Sequence, residues 1–528
     1  DILGMSWLSI MGSRKKFYVT TPIYYPNRPP HIGSAYTTVM GDVLARYYES
    51  RGYSTYYLTG TDEHGMKLYR VAKKRGMSPK EFVDNMIPYF KNAWKNLNIR
   101  YDRFIRTTEP DHERVVKHLA MRIYEKGDIY RGTYKGLYCV ECERYYTKKE
   151  LIEGKMCPIH LKPVDYLEMD CYFFKLSKYK DDLLRIYRKR ENFILPVERK
   201  NYVIRKIEEE GLIDVSISRP KWYLPWGIEC PWDKEHVLYV WMDALINYIS
   251  GIGYLENEEL FNKYWPPDVQ LIGKDILWFH VVIWPALLLS AGLPLPKTIF
   301  VHGFLTVDGK KISKSLGTDI DPNDLVNKYG GDTVRYYLCR AIPFGEDGDF
   351  SEKELARYNN DELVNEIGNM VYRVLTLSEK YFNSIVPEIS GHTKEESETS
   401  KKIEEYVNRY HKFMEKLQIH HAVMEMLHVA KSINVYLNKT EPWKFWKQGE
   451  RERVAEIIRH ALDWIYVLCA MMYPFMPDAS KRIAEQLAIH DVPKLSTIRP
   501  WGNLKPGHKL GKKEILFRKI ESRKTNQG

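Results

Sequence analysis

Cysteine is scarce in this sequence, and the positive and negative charges nearly balance. Seven cysteines in 528 residues cannot supply the disulfide framework of a small secreted domain. The formal net charge is +11 and 44% of the residues are hydrophobic, which excludes a disordered tail and a collagen-like repeat. No internal repeat is found. The length therefore indicates a globular chain of about two to four domains.

An uninterrupted apolar segment of membrane-spanning length is also missing. The longest apolar run covers residues 276–296, but Lys274 and Asp275 adjoin it, and a histidine and prolines interrupt it. It therefore predicts a buried helix of an α/β core. Residues 1–16 carry their basic side chains after the apolar stretch, which is the reverse of a secretory signal. We expect a cytoplasmic protein with no membrane partner.

The first part of the chain has the pattern of a parallel sheet. Residues 16–22 form a short β-rich run, apolar residues then recur at helical spacing over residues 36–47, and residues 54–58 are typical of the next strand. Ligands of such a sheet bind beyond the carboxyl ends of its strands. We therefore expect functional residues in segments 24–34 and 59–65.

A segment of different composition interrupts the α/β pattern. Residues 111–233 are rich in Tyr, Lys and Glu, whereas buried-strand character returns after Val237 and helical spacing dominates beyond Tyr358. The predicted divisions are residues 1–110 and 234–317 for the two halves of a split Rossmann-type domain, 111–233 for an insertion, 318–358 for a connecting segment, and 359–528 for an α-helical domain with the C-terminal segment.

The insertion contains a candidate metal site. Cys139 and Cys142 form a C-x2-C pair, and Cys157 and His160 form a C-x2-H pair after a fourteen-residue spacer. Four sulfur and nitrogen ligands at this spacing suit tetrahedral Zn²⁺. No ligand position is left for water, so we expect one structural zinc per chain. The crowded thiols also favour a reducing compartment.

Two loops have the character of phosphate-binding segments. His31-Ile32-Gly33-Ser34 opens a helix after the first strand, where a histidine can donate to phosphate oxygens and a glycine lets a ligand approach the backbone. Lys311-Ile312-Ser313-Lys314-Ser315 is a basic loop after a predicted strand. Either loop alone is also compatible with an ordinary surface loop or a solvated run of charge.

With both loops in this order, the sequence resembles the class I aminoacyl-tRNA synthetases, whose paired signatures are written HIGH and KMSKS. Within that class it resembles the methionyl-tRNA synthetases, because residues 239–244 (YVWMDA) and 271–276 (LIGKDI), with His280 and Trp284, are similar to motifs of that family. The resemblance covers about residues 16–501. It implies an α/β fold: a split Rossmann-type catalytic domain with an inserted zinc-knuckle subdomain, followed by an α-helical bundle that binds the anticodon.

The resemblance implies an ATP-dependent, two-step ligase reaction. Methionine attacks the α-phosphate of ATP, which acts with Mg²⁺, to form methionyl-adenylate and pyrophosphate. The methionyl group then passes to the 3′-terminal ribose of tRNA(Met), initiator tRNA included, for which class I enzymes use the 2′-hydroxyl. The implied catalytic residues are His31, Ser34, Lys311 and Lys314, and the implied ATP-binding residues are these four with Gly33, Gly273 and Asp275. Ser34 replaces a histidine of the family signature; it can donate one hydrogen bond but carries no charge.

The resemblance also assigns the methionine and tRNA sites. Aromatic walls suit a polarizable, unbranched thioether. The implied methionine-binding residues are Ile23, Tyr25, Asp62, Trp241, Ala244, Leu245, Tyr248, Ile276, His280 and Trp284. Asp62 is expected to bind the ammonium group, and Leu245 stands where the family commonly has proline. In the helical domain, Asn369, Arg373 and Trp443 are expected to read the anticodon by hydrogen bonds and stacking.

Two other functions remain open at this point. A non-catalytic tRNA-binding paralogue would explain Ser34, and a small-molecule nucleotidylyltransferase would share the first loop but leave the helical domain without a purpose. Synthetases for Ile, Val and Leu are disfavoured, because the insertion is too short for an editing domain. We expect a monomer, since no appended oligomerisation domain is evident after Trp501.

Overall fold

The computed structural model describes residues 15–139, 144–313 and 316–521. The strands in these ranges are β1 (Lys16–Tyr24), β2 (Ser54–Thr61), β3 (Arg103–Arg106), β4 (Ile129–Cys139), β5 (Arg144–Tyr146), β6 (Asp165–Phe174), β7 (Ile194–Leu195), β8 (Val215–Ser216), β9 (Ser218–Pro220), β10 (Glu229–Cys230), β11 (Asp233–Leu238), β12 (Val269–Gly273), β13 (Thr298–His302), β14 (Leu305–Val307), β15 (Lys310–Lys311) and β16 (Gly348–Phe350).

The α-helices are α1 (Ile32–Ser50), α2 (Met66–Lys74), α3 (Pro79–Asn96), α4 (Pro110–Glu125), α5 (Lys180–Lys189), α6 (Val197–Glu210), α7 (Val240–Ala244), α8 (Asn247–Ser250), α9 (Glu258–Tyr264), α10 (Trp284–Ala291), α11 (Pro322–Tyr329), α12 (Gly331–Ala341), α13 (Glu352–Tyr358), α14 (Asn369–Phe382), α15 (Lys394–Glu415), α16 (Ile419–Thr440), α17 (Pro442–Lys447), α18 (Arg451–Met472) and α19 (Pro477–Gln486).

A six-stranded parallel sheet forms the centre of the α/β domain, in the order β3-β2-β1-β12-β13-β7. β1 pairs with β12, Val19 opposite Val269, so the segments before and after the insertion meet at the middle of the sheet. Side chains alternate along a strand. Phe17 and Val19 pack with α1 on one face, and Tyr18 packs into the core of the other face. The predicted parallel sheet is confirmed.

The range predicted as the insertion is joined to this sheet at one point. Ile194 and Leu195 form β7, which pairs in parallel with β13 and adds an edge strand to the sheet. Two residues are too few for an alternating pattern, so the sequence carried no signal for this strand. Elsewhere in the range, β4 and β6 form a long antiparallel ladder within the sheet β5-β4-β6-β8.

The apolar run at residues 276–296 is buried, but it is not one regular helix. A 3₁₀ turn (Lys274–Ile276) and a π-helical segment (Phe279–Ile283) lead into α10, which ends at Gly292 in the left-handed conformation (φ 68°). The predicted helix is therefore present over residues 279–291, π-helical at first and α-helical from Trp284, and the residues after Gly292 lie outside it. Within the described residues, no helix combines the length and apolarity needed to cross a membrane.

The helical domain continues the hydrophobic core of the sheet. The face of α1 that covers the sheet shares one buried cluster with α12, α16 and α18. A buried ion pair network joins the same elements: the carboxylate of Asp42 on α1 accepts from Arg46 and from Arg335 on α12, each at 2.7 Å. Arg335 also donates to the carbonyl of Phe475, just after α18. The helix that carries the first signature is thus anchored in the helical domain.

Candidate active site

A cavity of about 880 Å³ opens at the carboxyl ends of β1, β2, β12 and β13. Parallel strands end at the same edge of a sheet, so the loops that follow them converge. Its lining includes these predicted residues: Ile23, Tyr25, His31, Gly33, Ser34, Asp62, Trp241, Ala244, Leu245, Tyr248, Gly273, Asp275, Ile276, His280 and Lys311. The residues assigned to ATP and those assigned to methionine therefore share one cavity.

The first signature forms the N-terminus of α1. His31 is the N-cap residue, and its Nδ1 accepts the N–H of Gly33 at 3.0 Å. Ser34 closes a capping box, because its Oγ accepts the N–H of His31 at 3.1 Å. A Cβ at position 33 would lie 2.9 Å from the His31 ring, so only glycine fits there. Ser34 thus holds the backbone that positions His31.

The protonation of His31 follows from its surroundings. Burial, with a smaller effect of the Arg28 cation, lowers the pKa of His31 to about 4. The imidazole is therefore neutral near pH 7. Since its Nδ1 accepts a hydrogen bond, the proton of the neutral ring is on Nε2. Nε2–H is a donor suited to a phosphate oxygen.

The second signature loop is attached to the first. Ile320, just after the loop, accepts the N–H of Ile32 at 3.0 Å. Thr318 Oγ1 donates to the Lys311 carbonyl at 2.6 Å and so ties the two ends of the loop together. Lys311 Nζ donates to the carbonyl of Ile159 at 3.3 Å. Lys314, a predicted catalytic residue, lies outside the described residues.

The walls of the pocket are stabilised by stacked aromatic rings and by the hydrogen bonds of one histidine. Trp241 stacks on Phe279 with ring centroids 3.9 Å apart. His280 Nδ1 lies 3.1 Å from the Ile276 carbonyl and must donate to it, so Nε2 accepts from the Tyr248 hydroxyl at 2.8 Å. This arrangement needs a neutral ring, and burial lowers the pKa of His280 to about 4.

One predicted wall residue lies behind the pocket. Trp284 is buried, packs against Tyr248 with centroids 5.7 Å apart, and donates from Nε1 to Gln270 Oε1 at 3.1 Å. Its ring supports Tyr248, which does line the cavity. The sequence alone could not tell which residues of the π-helical segment and α10 line the cavity and which lie behind those residues.

Some cavity residues were missed by the sequence analysis, notably His302, Arg28 and Phe304. His302 ends β13, and its Nε2 bonds the Thr37 hydroxyl at 2.8 Å. Ligands of a parallel sheet bind beyond the carboxyl ends of its strands, which is why functional residues were expected in segments 24–34 and 59–65. The same rule would have found His302, because it also ends a parallel strand. On the neighbouring strand, a Cβ at Gly273 would lie 2.5 Å from Asp275 Oδ1.

A candidate metal site lies beside the cavity. The ligand atoms of Cys139, Cys157 and His160 are all within 4.8 Å of one another, and Cys157 Sγ lies 3.8 Å from His160 Nδ1. Zinc–ligand bonds of about 2.0–2.3 Å in a tetrahedron separate ligand atoms by about 3.5–3.8 Å, so these residues fit the ion. The fourth predicted ligand, Cys142, lies outside the described residues. His160 also lines the cavity.

The predicted anticodon residues form one surface. Arg373 lies on α14 with its guanidinium 5.7 Å from the ring centroid of Trp443, which opens α17. Arg373 also donates to Asn438 Oδ1 at 3.0 Å. Asn369 is exposed one turn earlier on α14. Asn438, at the end of α16, was not singled out in the sequence.

Comparison with known proteins agrees with this geometry. A family model described as tRNA synthetases class I (M) matches residues 17–375, and a model of the anticodon binding domain of methionyl tRNA ligase matches residues 386–527. The fold and site are thus those of a class I aminoacyl-tRNA synthetase.

Individual relatives narrow the family. The methionine–tRNA ligase of Thermotoga maritima is 45% identical over 511 residues, 96% of this chain and 81% of the relative. That of Thermosynechococcus vestitus is 42% identical, covering 96% of this chain and 97% of the relative. The Mycobacterium tuberculosis methionyl-tRNA synthetase in complex with methionyl-adenylate superposes with a TM-score of 0.91 at 36% identity, covering 95% and 99% of the two chains. The chain belongs to the methionyl-tRNA synthetase family.

Proposed function

We infer that this chain is a methionine–tRNA ligase, which activates methionine with ATP and transfers it to tRNA(Met). The observation that carries this inference is that one cavity is lined by His31, Gly33 and Ser34 of the first signature, by Lys311 and Ile312 of the second, and by aromatic walls. An apolar, polarizable side chain is selected by such walls, and a nucleotide is bound by donors at the helix N-terminus and the basic loop.

In the first step, a methionine carboxylate oxygen attacks the α-phosphorus of ATP. A P–O bond forms, the bond to the bridging oxygen breaks, and pyrophosphate leaves with the electron pair. The carboxylate is already a nucleophile, so the protein mainly stabilises phosphate charge. His31 donates from Nε2–H, Ser34 keeps the loop in place, and Gly33, Gly273 and Asp275 border the nucleotide. Lys314 holds the departing pyrophosphate.

Lys311 also binds the phosphates. Its ammonium exchanges the carbonyl of Ile159 for a phosphate oxygen when ATP binds, because a charged acceptor is the stronger partner. Asp62 binds the methionine ammonium group, and Trp241, Tyr248 and His280 border its side chain. In the second step, the 2′-hydroxyl oxygen of the terminal ribose attacks the methionyl carbonyl carbon and the mixed-anhydride C–O bond breaks. AMP leaves with the electron pair, and the hydroxyl proton is released.

Two metal ions support this chemistry. We propose that Zn²⁺ is held by Cys139, Cys142, Cys157 and His160 and orders the segment that borders the cavity. Mg²⁺ accompanies ATP as counterion of its phosphates.

The anticodon is bound by three residues of the helical domain. Arg373, Trp443 and Asn369 bind unpaired anticodon bases through the guanidinium, the ring face and the amide.

We further propose that the protein acts in the cytoplasm as a monomer and that its substrates include initiator tRNA. The divisions at residues 110, 233, 317 and 358 are proposed as its domain boundaries, with β7 as the point where the insertion joins the sheet. Light scattering of the purified protein tests the monomer, and limited proteolysis tests the boundaries.

The deciding experiment is amino-acid-dependent ATP–pyrophosphate exchange with each of the twenty amino acids. We expect exchange with methionine alone, followed by charging of tRNA(Met). Lack of exchange with every amino acid, in protein that still binds tRNA, would contradict the ligase and favour the paralogue.

A further inference from the structure

A chain of buried polar side chains lies next to the methionine pocket. His64 Nδ1 is 2.6 Å from Asp243 Oδ2, and His112 Nε2 is 2.6 Å from Asp243 Oδ1. His112 Nδ1 is in turn 2.7 Å from the Ser250 hydroxyl. All four residues are buried, with at most 3% of their surface exposed. Nothing in the two-step reaction above uses them.

The direction of each hydrogen bond follows from the carboxylate. An ionised carboxylate only accepts, so His64 donates from Nδ1 and His112 donates from Nε2. Burial raises the pKa of Asp243, but the two histidines outweigh it and the net pKa is lowered. Asp243 is therefore charged, and each of its oxygens has its own imidazole partner.

The members of this chain belong to the elements that carry the pocket. His64 lies two residues after Asp62, in the loop between β2 and α2. Asp243 lies on α7 between Trp241 and Ala244, whose side chains line the cavity. His112 is on α4. The Asp243 carboxylate thus ties the loop that bears Asp62 to the short helix that bears the aromatic wall.

The remainder of the loop is held just as firmly. Glu63 accepts from Arg106 Nε at 2.7 Å and from Arg106 Nη2 at 2.9 Å. Its carbonyl accepts from Trp226 Nε1 at 2.6 Å, and its N–H donates to Thr107 Oγ1 at 2.8 Å. These bonds fix the loop against β3 and the insertion, and His64 connects it to α7.

We propose that His64 and Asp243 are positioning residues for methionine, which set the distance between the ammonium-binding carboxylate of Asp62 and the wall at Trp241 and Ala244. The proposal rests on the proposed function, because it takes Asp62 and this wall as the methionine site. Asp243 is the one charged side chain of this buried five-residue helix, and its bond to His64 sets the helix relative to the loop that bears Asp62. Misplacement of a substrate by about 1 Å costs on the order of 100-fold in rate.

The test compares two substitutions of one residue. His64→Ala removes the donor to Asp243, whereas His64→Asn keeps an N–H close to the position of Nδ1. In pyrophosphate exchange, we expect His64→Ala to raise the methionine KM about tenfold or more while the ATP KM changes less than about threefold. His64→Asn is expected to recover most of the methionine KM.

A matched control separates positioning from general loss of stability. His460→Ala removes an equally buried histidine from α18 in the helical domain. It should lower the melting temperature and leave both KM values unchanged. If His64→Ala does not fold, Asp243→Asn is used in the experiment instead. The amide has one accepting oxygen in place of the two charged oxygens of the carboxylate, so it cannot accept from both imidazoles.

The outcomes distinguish failure of the proposed ligase function from failure of the positioning role of His64 and Asp243. A parent protein without methionine-dependent exchange would overturn the proposed function, and with it this proposal. An active parent whose His64→Ala variant keeps the parental methionine KM would overturn the positioning role alone. Equal increases of the methionine and ATP KM values, or failure of His64→Asn to recover, would also overturn it in favour of a purely structural role.

Discussion

At the scale of single residues, the site depends on imidazoles that burial keeps neutral. His31, His280 and His302 all have a lowered pKa because burial disfavours the imidazolium, and for the first two it falls to about 4. Each ring accepts or donates in a defined direction, set by its backbone partner. A neutral ring with a known tautomer is a fixed donor, which suits a reaction that needs little proton transfer from the protein.

This protonation state predicts a dependence of stability on pH. Between about pH 6.5 and pH 4 the unfolded chain protonates His280, whereas the folded protein does not. The unfolded state then binds more protons, so the free energy of unfolding should fall as the pH is lowered through this window. His280→Gln should weaken this dependence, as measured by urea unfolding at pH 7 and pH 5. An unchanged difference between the two pH values would refute the assignment.

Ser34 should act mainly through the backbone. Its hydroxyl closes the capping box with His31. Ser34→Ala is expected to lower the free energy of unfolding by about 1 kcal/mol. For His31→Ala, the loss of a donor to the phosphate predicts a decrease in pyrophosphate exchange on the order of 100-fold. Ser34→Ala should slow the exchange less than that. Equal decreases in both variants would show that the Ser34 hydroxyl itself contacts the nucleotide.

At the scale of elements, short segments carry most of the chemistry. α7 has five residues and β15 has two, yet they bear Trp241 and Lys311. The loop between Cys157 and His160 lines the cavity and accepts from Lys311. Such segments have little regular structure to stabilise them, so bonds to neighbouring elements must hold them in place.

The knuckle is expected to bind one zinc ion per chain. Cys157→Ser should abolish this zinc, since a hydroxyl is a poor replacement for a thiolate ligand. Metal analysis of the purified protein measures the zinc directly. Cys339→Ser is the matched control, because Cys339 is an equally buried thiol on α12, and it should retain the ion. Protein without zinc, prepared in the absence of chelators, would contradict the metal site.

At the scale of the whole molecule, the two ends of α1 contact different parts of the protein. Its N-terminus forms the first signature, and in its C-terminal half Arg46 and Tyr47 bond Tyr473 and His411 of the helical domain. The hydrophobic core continues from the sheet into α16 and α18. The helical domain and the catalytic domain therefore share one hydrophobic core.

Anticodon recognition should be separable from amino-acid activation. Trp443→Ala removes a stacking surface, which is typically worth about 1–3 kcal/mol per base. The KM for tRNA should therefore rise roughly 5- to 150-fold, while methionine-dependent pyrophosphate exchange stays unchanged. Trp446→Ala is a suitable control, since that ring already stacks on Tyr381 within the protein. An unaltered tRNA KM in Trp443→Ala would refute the anticodon assignment.

The amino-acid sequence by itself determined the class of fold, and it predicted the two signature loops and the knuckle. These depend on local spacing: a strand followed by a helical repeat, a capped loop at His31, a basic loop at Lys311, and paired Cys and His ligands. Local spacing also predicted which strand ends bear functional side chains, because the carboxyl ends of parallel strands converge.

Only the tertiary structure decided the features that depend on contacts between distant segments. These include β7 joining the sheet, Trp284 lying behind Tyr248, His302 entering the cavity, and His64 reaching Asp243 across 179 positions of sequence. Such pairs carry no periodicity, because neither partner is near the other along the chain. The protonation of His31 and His280 was likewise decided by burial, which exists only once the chain has folded.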